Sequence, residues 1–88
     1  MAKIYNIGYE RCCATSNPRT YFKKGTLEEL INYFSYTLEK GASWQWDRGM
    51  KKVSLNPKTI KGLITALNNA VYNTQGRCYN QDYYWLEA

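Results

Sequence analysis

Two segments of this chain repeat the same apolar spacing, and each places five apolar side chains along one face of a helix. The first stripe is Leu27, Leu30, Ile31, Phe34 and Leu38, and the second is Ile60, Leu63, Ile64, Leu67 and Val71. A helix with one narrow apolar stripe must bury that stripe against another element, so the pair predicts a helical layer on a common partner. Because the chain has 88 residues, there is room for one such core, and we expect a single domain over residues 1–88.

Capping signals give the expected ends of both helices. Thr26 followed by Glu29 forms a capping box that predicts the start of the first helix, and Gly41 is the residue expected just past its C-terminal end. Asn56 as N-cap with Pro57 in the first helical position predicts the start of the second helix.

Strand-like segments surround the helices. Residues 3–10 alternate, with Tyr5, Ile7 and Tyr9 on one side, which is the periodicity of a half-buried strand. Residues 77–86 are aromatic-rich and predict a final strand, whereas residues 19–24 fit either a short strand or an extended lead-in to the first helix.

Residues 43–54 are expected to form a β-hairpin between the two helices. The turn would lie at residues 47–49, which end in a glycine, and Trp44 and Trp46 would share one face of the first arm.

The predicted fold is therefore α+β: a two-layer sandwich in which an antiparallel sheet carries two helices on one face. The order of elements is the ferredoxin-like βαββαβ. If residues 19–24 form a strand, the fold is a variant with an extra N-terminal strand.

The chemistry of the side chains favours binding over catalysis. The chain has no histidine, no glycine-rich phosphate loop and no cysteine pair with metal-ligand spacing, since Cys12 and Cys13 are adjacent and Cys78 is distant. The seven carboxylates show no paired spacing for acid–base work. We expect a protein that is not an enzyme, needs no metal or cofactor, and keeps its thiols reduced.

Positive charge is concentrated in one stretch of a chain whose formal net charge is +5. Between Arg48 and Lys61 there are five cations and no anion: Arg48, Lys51, Lys52, Lys58 and Lys61. Such a patch attracts a phosphate backbone or an acidic protein surface, and the alternative is an ordinary solvated face.

Aromatic residues exceed what one small core needs, with nine tyrosines and three tryptophans. Tyr33 and Tyr36 lie off the helical stripe, and consecutive Tyr83, Tyr84 and Trp85 must place rings on both faces of a strand. Exposed rings suit a protein interface or base stacking, and the alternative is that they cover their own sheet face or pack a homodimer. The candidate partner-binding residues are Trp44, Trp46, Arg48, Lys51, Lys52, Lys58, Lys61, Tyr33, Tyr36, Tyr83 and Trp85.

An RNA-recognition domain of the same strand order would carry an aromatic motif on its third strand, and residues 49–53 (GMKKV) contain none.

Residues 34–41 (FSYTLEKG), 56–70 (NPKTIKGLITALNNA) and 83–86 (YYWL) together resemble small accessory proteins of phages and prophages. This resemblance implies an inhibitor of the anti-CRISPR or host-takeover type, which would bind a host defence protein or ribonucleoprotein complex and block it by occlusion. The alternative is a nucleic-acid-binding module that uses the basic, tyrosine-rich surface. No apolar run approaches the roughly 20 residues of a membrane span, and residues 1–6 suggest a strand rather than a signal peptide. We therefore expect no membrane partner and a cytoplasmic location, in the host cell if the protein is phage-encoded.

Overall fold

A computed structural model describes residues 3–13, 16–43, 51–75 and 83–87. Within these residues the fold is α+β, as predicted, with one three-stranded antiparallel sheet and three helices. The elements are β1 (Tyr5–Cys13), β2 (Ser16–Gly25), α1 (Leu27–Tyr33), α2 (Ser35–Ser43), α3 (Ile60–Gln75) and β3 (Tyr83–Glu87).

The sheet has the strand order β2-β1-β3, and both pairings are antiparallel. Residues 19–24 lie within β2, which pairs with β1 as a hairpin, so the structure has the extra strand before the first helix that the variant allowed. The ferredoxin-like order is not the order of the described elements. Of the predicted final strand over residues 77–86, residues 83–86 lie in β3, and residues 77–82 lie outside the described part.

The predicted hairpin over residues 43–54 is wrong in its second arm, because residues 51–54 form no strand. The backbone of Lys51 binds the side chain of Asn73 on α3 instead: its N–H donates to Oδ1 at 2.7 Å, and its carbonyl accepts from Nδ2 at 2.7 Å. Asn69 one turn earlier donates to the carbonyl of Lys52 at 3.1 Å. Residues 44–50, with the predicted turn, lie outside the described residues.

The first predicted helix is divided into α1 and α2 at Phe34, whose backbone leaves the helical region at φ −96° and ψ 11°. Its start is as predicted, since Thr26 Oγ1 accepts from the Glu29 N–H at 3.2 Å and Glu29 Oε1 accepts from the Thr26 N–H at 2.8 Å. On the two sides of this interruption, α1 lies beside β2 and α2 packs against α3. Gly41 does not end the helix: it is buried within α2 against Ala70 of α3.

The start of α3 also differs from the prediction. Thr59, and not Asn56, caps it, because Thr59 Oγ1 accepts from the Gly62 N–H at 3.0 Å and the Thr59 carbonyl accepts from the Leu63 N–H. The segment from Asn56 to Thr59 bends before the helix begins at Ile60.

The core lies between the helices and one face of the sheet. Phe34 packs edge-on against Tyr9 and Tyr84, which stack on each other across β1 and β3 with ring centroids 5.3 Å apart. Both predicted stripes contribute to this core, which is formed by Ile7, Leu30, Phe34, Leu38, Val53, Ile60, Leu63, Ala66, Leu67, Ala70, Val71 and Tyr84. Burial of these side chains, at about 1.5–3 kcal/mol for each large one, fixes which face of the sheet the helices cover.

Candidate protein-binding surface

One face of the sheet points away from the helices, and the register identifies its residues. Tyr9, Tyr21 and Tyr84 are opposite one another and lie on the helical side, so the residues next to them in sequence lie on the other side. We call this second side the open face. It consists of Asn6, Gly8, Glu10, Thr20, Phe22, Lys24, Tyr83, Trp85 and Glu87.

Gly8 allows two aromatic rings to meet at the centre of the open face. Phe22 on β2 and Trp85 on β3 both pair with Gly8 on the middle strand. The indole of Trp85 lies over Gly8 so closely that a Cβ atom there would be 2.4 Å from Trp85 Cε2. The rings of Phe22 and Trp85 are arranged edge to face, with centroids 6.3 Å apart. A glycine at this position therefore permits an aromatic row across all three strands.

Hydrogen bonds restrain two rings of this surface. The indole Nε1–H of Trp85 donates to Glu87 Oε2 at 2.7 Å, and the Tyr83 hydroxyl donates to Glu10 Oε2 at 2.7 Å. The rings of Tyr83 and Trp85 lie 5.4 Å apart. Tyr83 is still 50% exposed and Phe22 is 55% exposed. Because hydrogen bonds already restrain the rings of Tyr83 and Trp85, these two side chains would lose little rotamer entropy on contact with a partner.

The charges on the open face are two carboxylates, Glu10 and Glu87, and one ammonium group, Lys24. Asn6 lies between Lys24 and Glu87 in the register, and its side-chain oxygen Oδ1 is buried without a hydrogen-bond partner among the residues that the structure describes. A buried acceptor without a donor costs about 1–3 kcal/mol, and a partner that supplies an N–H would recover this cost. Asn6 lines an open depression of about 520 Å³ at this end of the sheet.

The predicted cations do not form one patch within the described residues. Lys51 lies beside the C-terminal half of α3, with its Nζ 4.7 Å from the centroid of the Tyr72 ring, and Lys52 follows it. Lys58 and Lys61 are exposed near the opposite end of the same helix. At a rise of about 1.5 Å per residue, the two pairs are separated by roughly 20 Å. Trp44, Trp46 and Arg48 lie outside the described residues.

The predicted aromatic residues divide between the two sides of the molecule. Tyr33 on α1 is exposed with the Lys23 Nζ 4.4 Å from its ring centroid, and Tyr36 on α2 is 73% exposed. Tyr83 and Trp85 belong to the open face. The eleven candidate residues therefore do not form one site: two lie on the open face, and the others that are described lie on the helical layer or beside it.

Sequence reasoning missed the other members of the open face. The alternation of residues 3–10 already separated Gly8 from Tyr5, Ile7 and Tyr9. It did not reveal that Phe22 and Trp85 would meet over Gly8, because that contact depends on the register of two strands that are distant in sequence.

Among the described residues, no group of three or more histidine, cysteine or carboxylate side chains is arranged to hold a metal ion. None of the described helices has the length and apolar character to cross a bilayer. No protein-family model, curated protein or solved structure matches the chain.

Proposed function

We propose that this chain is a non-catalytic binding protein that docks another protein on the open face and acts by occluding it. An inhibitor of a host defence protein or ribonucleoprotein complex, as the anti-CRISPR resemblance implies, is the form of this function that we favour. The observation that carries the proposal is the aromatic row of Phe22, Trp85 and Tyr83, in which Phe22 and Tyr83 are exposed and Trp85 is partly buried. Hydrogen bonds restrain the rings of Trp85 and Tyr83. Rigid aromatic side chains surrounded by polar groups are typical of the energetic centre of a protein interface.

The charges near this row favour a protein partner over nucleic acid. Sites that stack bases combine their rings with cations that follow the phosphate backbone. Here Tyr83 is hydrogen-bonded to the carboxylate of Glu10, and Trp85 is hydrogen-bonded to the carboxylate of Glu87. Both carboxylates would repel phosphate. The lysines at residues 51, 52 and 58 lie beside α3 instead, and Lys61 lies in its first turn.

A capture experiment with matched baits tests the proposal. The wild-type chain and two variants would be immobilised at equal density in lysate of the host, with and without nuclease. We expect a nuclease-resistant partner to bind the wild type and Tyr36→Ser, and to be lost with Phe22→Thr combined with Tyr83→Ser. Tyr36→Ser is the control because it removes an exposed tyrosine from the helical side.

Equal capture by all three baits would show that the open face is not the binding surface. Melting curves of both variants must match that of the wild type, so that lost capture reports lost contact and not unfolding.

The alternative function, nucleic-acid binding, is supported by the exposed lysines beside α3 and by the contact of Lys51 with the Tyr72 ring. It predicts that an oligonucleotide binds with an affinity that falls steeply with salt, and that Lys58→Glu with Lys61→Glu abolishes binding. Fluorescence anisotropy at two salt concentrations separates it from the favoured function, which predicts no such binding.

A further inference from the structure

The indole of Trp85 lies flat on the centre of the open face. Its atom Cε2 would be 2.4 Å from a Cβ atom on Gly8, and the two atoms bonded to Cε2 on that side, Cζ2 and Nε1, would be 2.6 and 2.7 Å away. Because the middle atom of these three is the nearest, a face of the indole, and not its edge, rests on the backbone of β1. The other face of the indole therefore points away from the sheet, and the face of an aromatic ring carries partial negative charge.

The other two rings of the aromatic row lie beside this indole. The ring plane of Phe22 is at 87° to the indole, and that of Tyr83 is tilted by 39°. Their centroids are 6.3 and 5.4 Å from the indole centroid. A cation within about 6 Å of a ring centroid is attracted to the face of that ring. A cation placed on the indole would therefore also be close to the rings on either side.

Two carboxylates flank the aromatic row. Glu10 lies opposite Tyr83 in the register, and Glu87 lies two residues beyond Trp85 on β3. Each carboxylate accepts a hydrogen bond from the ring next to it, through Oε2. These bonds hold the carboxylates beside the rings, and they neutralise no charge because both donors are uncharged.

The two carboxylates have no cation of their own in the described part of the chain. Among those residues, no ammonium or guanidinium group lies within 4.0 Å of Glu10 or Glu87. Lys24 shares the open face, but it pairs with Asn6 along β2. Asn6 Oδ1 is a further acceptor that lacks a donor among these residues. The surroundings of the row are therefore negative and rich in acceptors, although the chain has a formal net charge of +5.

We infer that the aromatic row binds an arginine side chain of the partner protein. A guanidinium group is planar, so it lies flat on the indole of Trp85 while its N–H groups point sideways to Glu10 and Glu87. It is also more weakly hydrated than an ammonium group and loses less on leaving water. A lysine in the same place is a point charge that does not stack. This inference rests on the proposed function and names the chemistry that the open face recognises.

Nuclear magnetic resonance of the pure chain with a defined probe is the first test. The probe is a short capped peptide with one arginine between glycines, and its match carries citrulline, which has the same shape without the charge. We expect the arginine peptide to shift the indole Nε1–H resonance of Trp85 with a Kd of about 1–10 mM, and the citrulline peptide to bind at least about tenfold more weakly. The variant Trp85→Phe assigns that resonance. No shift up to about 50 mM, or equal binding of both peptides, overturns the inference.

Exchange of carboxylates for carboxamides tests the role of the two charges. Glu10→Gln with Glu87→Gln keeps an oxygen acceptor for each ring and should raise the Kd of the arginine peptide about three- to tenfold. Glu28→Gln with Glu39→Gln removes the same charge from exposed positions on α1 and α2 and should leave the Kd within about twofold of the wild type. Equal weakening by both pairs would show that only net charge matters, which overturns the inference.

A third peptide tests the choice of cation. Lysine in place of arginine should bind about threefold or more weakly, because it loses the stacking contact. A lysine or trimethyllysine peptide that binds as tightly as the arginine peptide overturns the assignment to arginine.

The carboxamide pair also serves as a bait in the lysate capture, and there it separates this inference from the proposed function. A partner that Phe22→Thr with Tyr83→Ser loses, and that Glu10→Gln with Glu87→Gln retains in full, overturns the inference and leaves the proposed function standing. Capture of no partner, with specific binding of the arginine peptide, supports the inference and contradicts the proposed function.

Discussion

Asn68 binds the backbone of Tyr84 on both sides of its Cα: Asn68 Oδ1 accepts from the Tyr84 N–H at 2.8 Å, and Asn68 Nδ2 donates to the Tyr84 carbonyl at 3.1 Å. These two backbone groups are the ones that a fourth strand would bind. A single side chain on α3 therefore closes the β3 edge at the residue that enters the core, and it fixes the helix to the sheet.

Replacing Asn68 with Ala should destabilise the protein by about 1–3 kcal/mol, because it leaves a partly buried N–H and carbonyl without partners. For a domain of this size that cost lowers the Tm by about 4–8 °C for each kcal/mol. Thermal unfolding measures it, with Thr65→Ala on the exposed side of α3 as the control. An Asn68→Ala variant as stable as the control would show that water replaces both bonds without cost.

Gly8→Ala should displace the Trp85 indole, because the added Cβ would lie 2.4 Å from Cε2. We expect the tryptophan emission of the folded variant to shift to longer wavelength and to differ less in intensity from that of the unfolded chain. Overpacking should also lower the free energy of unfolding by about 1–3 kcal/mol.

The double variant Gly8→Ala with Trp85→Ala separates the clash from the intrinsic cost of alanine in a strand. Once the indole is absent, the change at Gly8 should cost less than about 0.5 kcal/mol. An equal cost in both backgrounds would mean that the ring does not lie over the glycine.

Gly41→Ala should destabilise the protein although alanine is the better helix former. Propensity alone favours alanine by about 1 kcal/mol. The new Cβ, however, would lie 2.3 Å from Ala70 Cβ and 2.4 Å from its Cα, and the backbone of α3 cannot move away as a flexible side chain would. We expect a net loss of about 1–3 kcal/mol in urea unfolding. Gly62→Ala is the matched control, since its Cβ would approach only Thr59 Oγ1 at 3.2 Å and Pro57 Cβ at 3.4 Å.

Glu29 makes the stability depend on pH. The hydrogen bond from the Thr26 backbone N–H, with the Thr26 hydroxyl contact and the nearby Lys23, lowers the pKa of Glu29 below its ordinary value of 4.5. A carboxyl group with a lowered folded-state pKa stabilises the fold above its unfolded pKa, and this contribution disappears as the pH falls through the folded pKa.

Glu29→Gln should therefore be less stable than the wild type at pH 7, and the difference should shrink as the pH falls below 4.5. Urea unfolding at a series of pH values gives the comparison. Glu28→Gln removes the same charge outside the capping box and serves as control. A difference between wild type and Glu29→Gln that stays constant with pH would show that the ionised carboxyl does not matter.

The local patterns of the sequence predicted the parts of the fold that depend on near neighbours. The alternation around Ile7 gave the correct face of β1, and the pair of Thr26 and Glu29 gave the correct start of α1. The helical stripe around Phe34 was also correct as a core-facing set: Leu30, Phe34 and Leu38 are buried, and Leu27 and Ile31 pack partly buried against them. The stripe could not show the interruption at Phe34, because α1 and α2 pack on two different surfaces, strand β2 and helix α3.

The errors have one physical origin. Residues 51–53 have a strand-like composition, but the backbone groups of Lys51 and Lys52 bind carboxamides on a helix, and no local sequence pattern indicates those partners. Asn56 is a good N-cap in isolation, yet Thr59 is better placed because Ile60 must enter the core. The open face was missed for the same reason, since Phe22 and Trp85 meet only through their separate pairings with Gly8.

The carboxamides of α3 also bear on how this chain folds. Asn68, Asn69 and Asn73 lie within two turns of one helix, and they bind backbone groups that are 16 to 32 residues away in sequence. Neither β3 nor the segment at residues 51–53 can be aligned by these bonds until α3 has formed, so we expect α3 to be structured early and β3 to dock late. Substitutions at Asn68 should then speed unfolding and leave the folding rate nearly unchanged. The β3 edge, which docks on α3 last during folding, should therefore be the first part of the sheet to separate during unfolding.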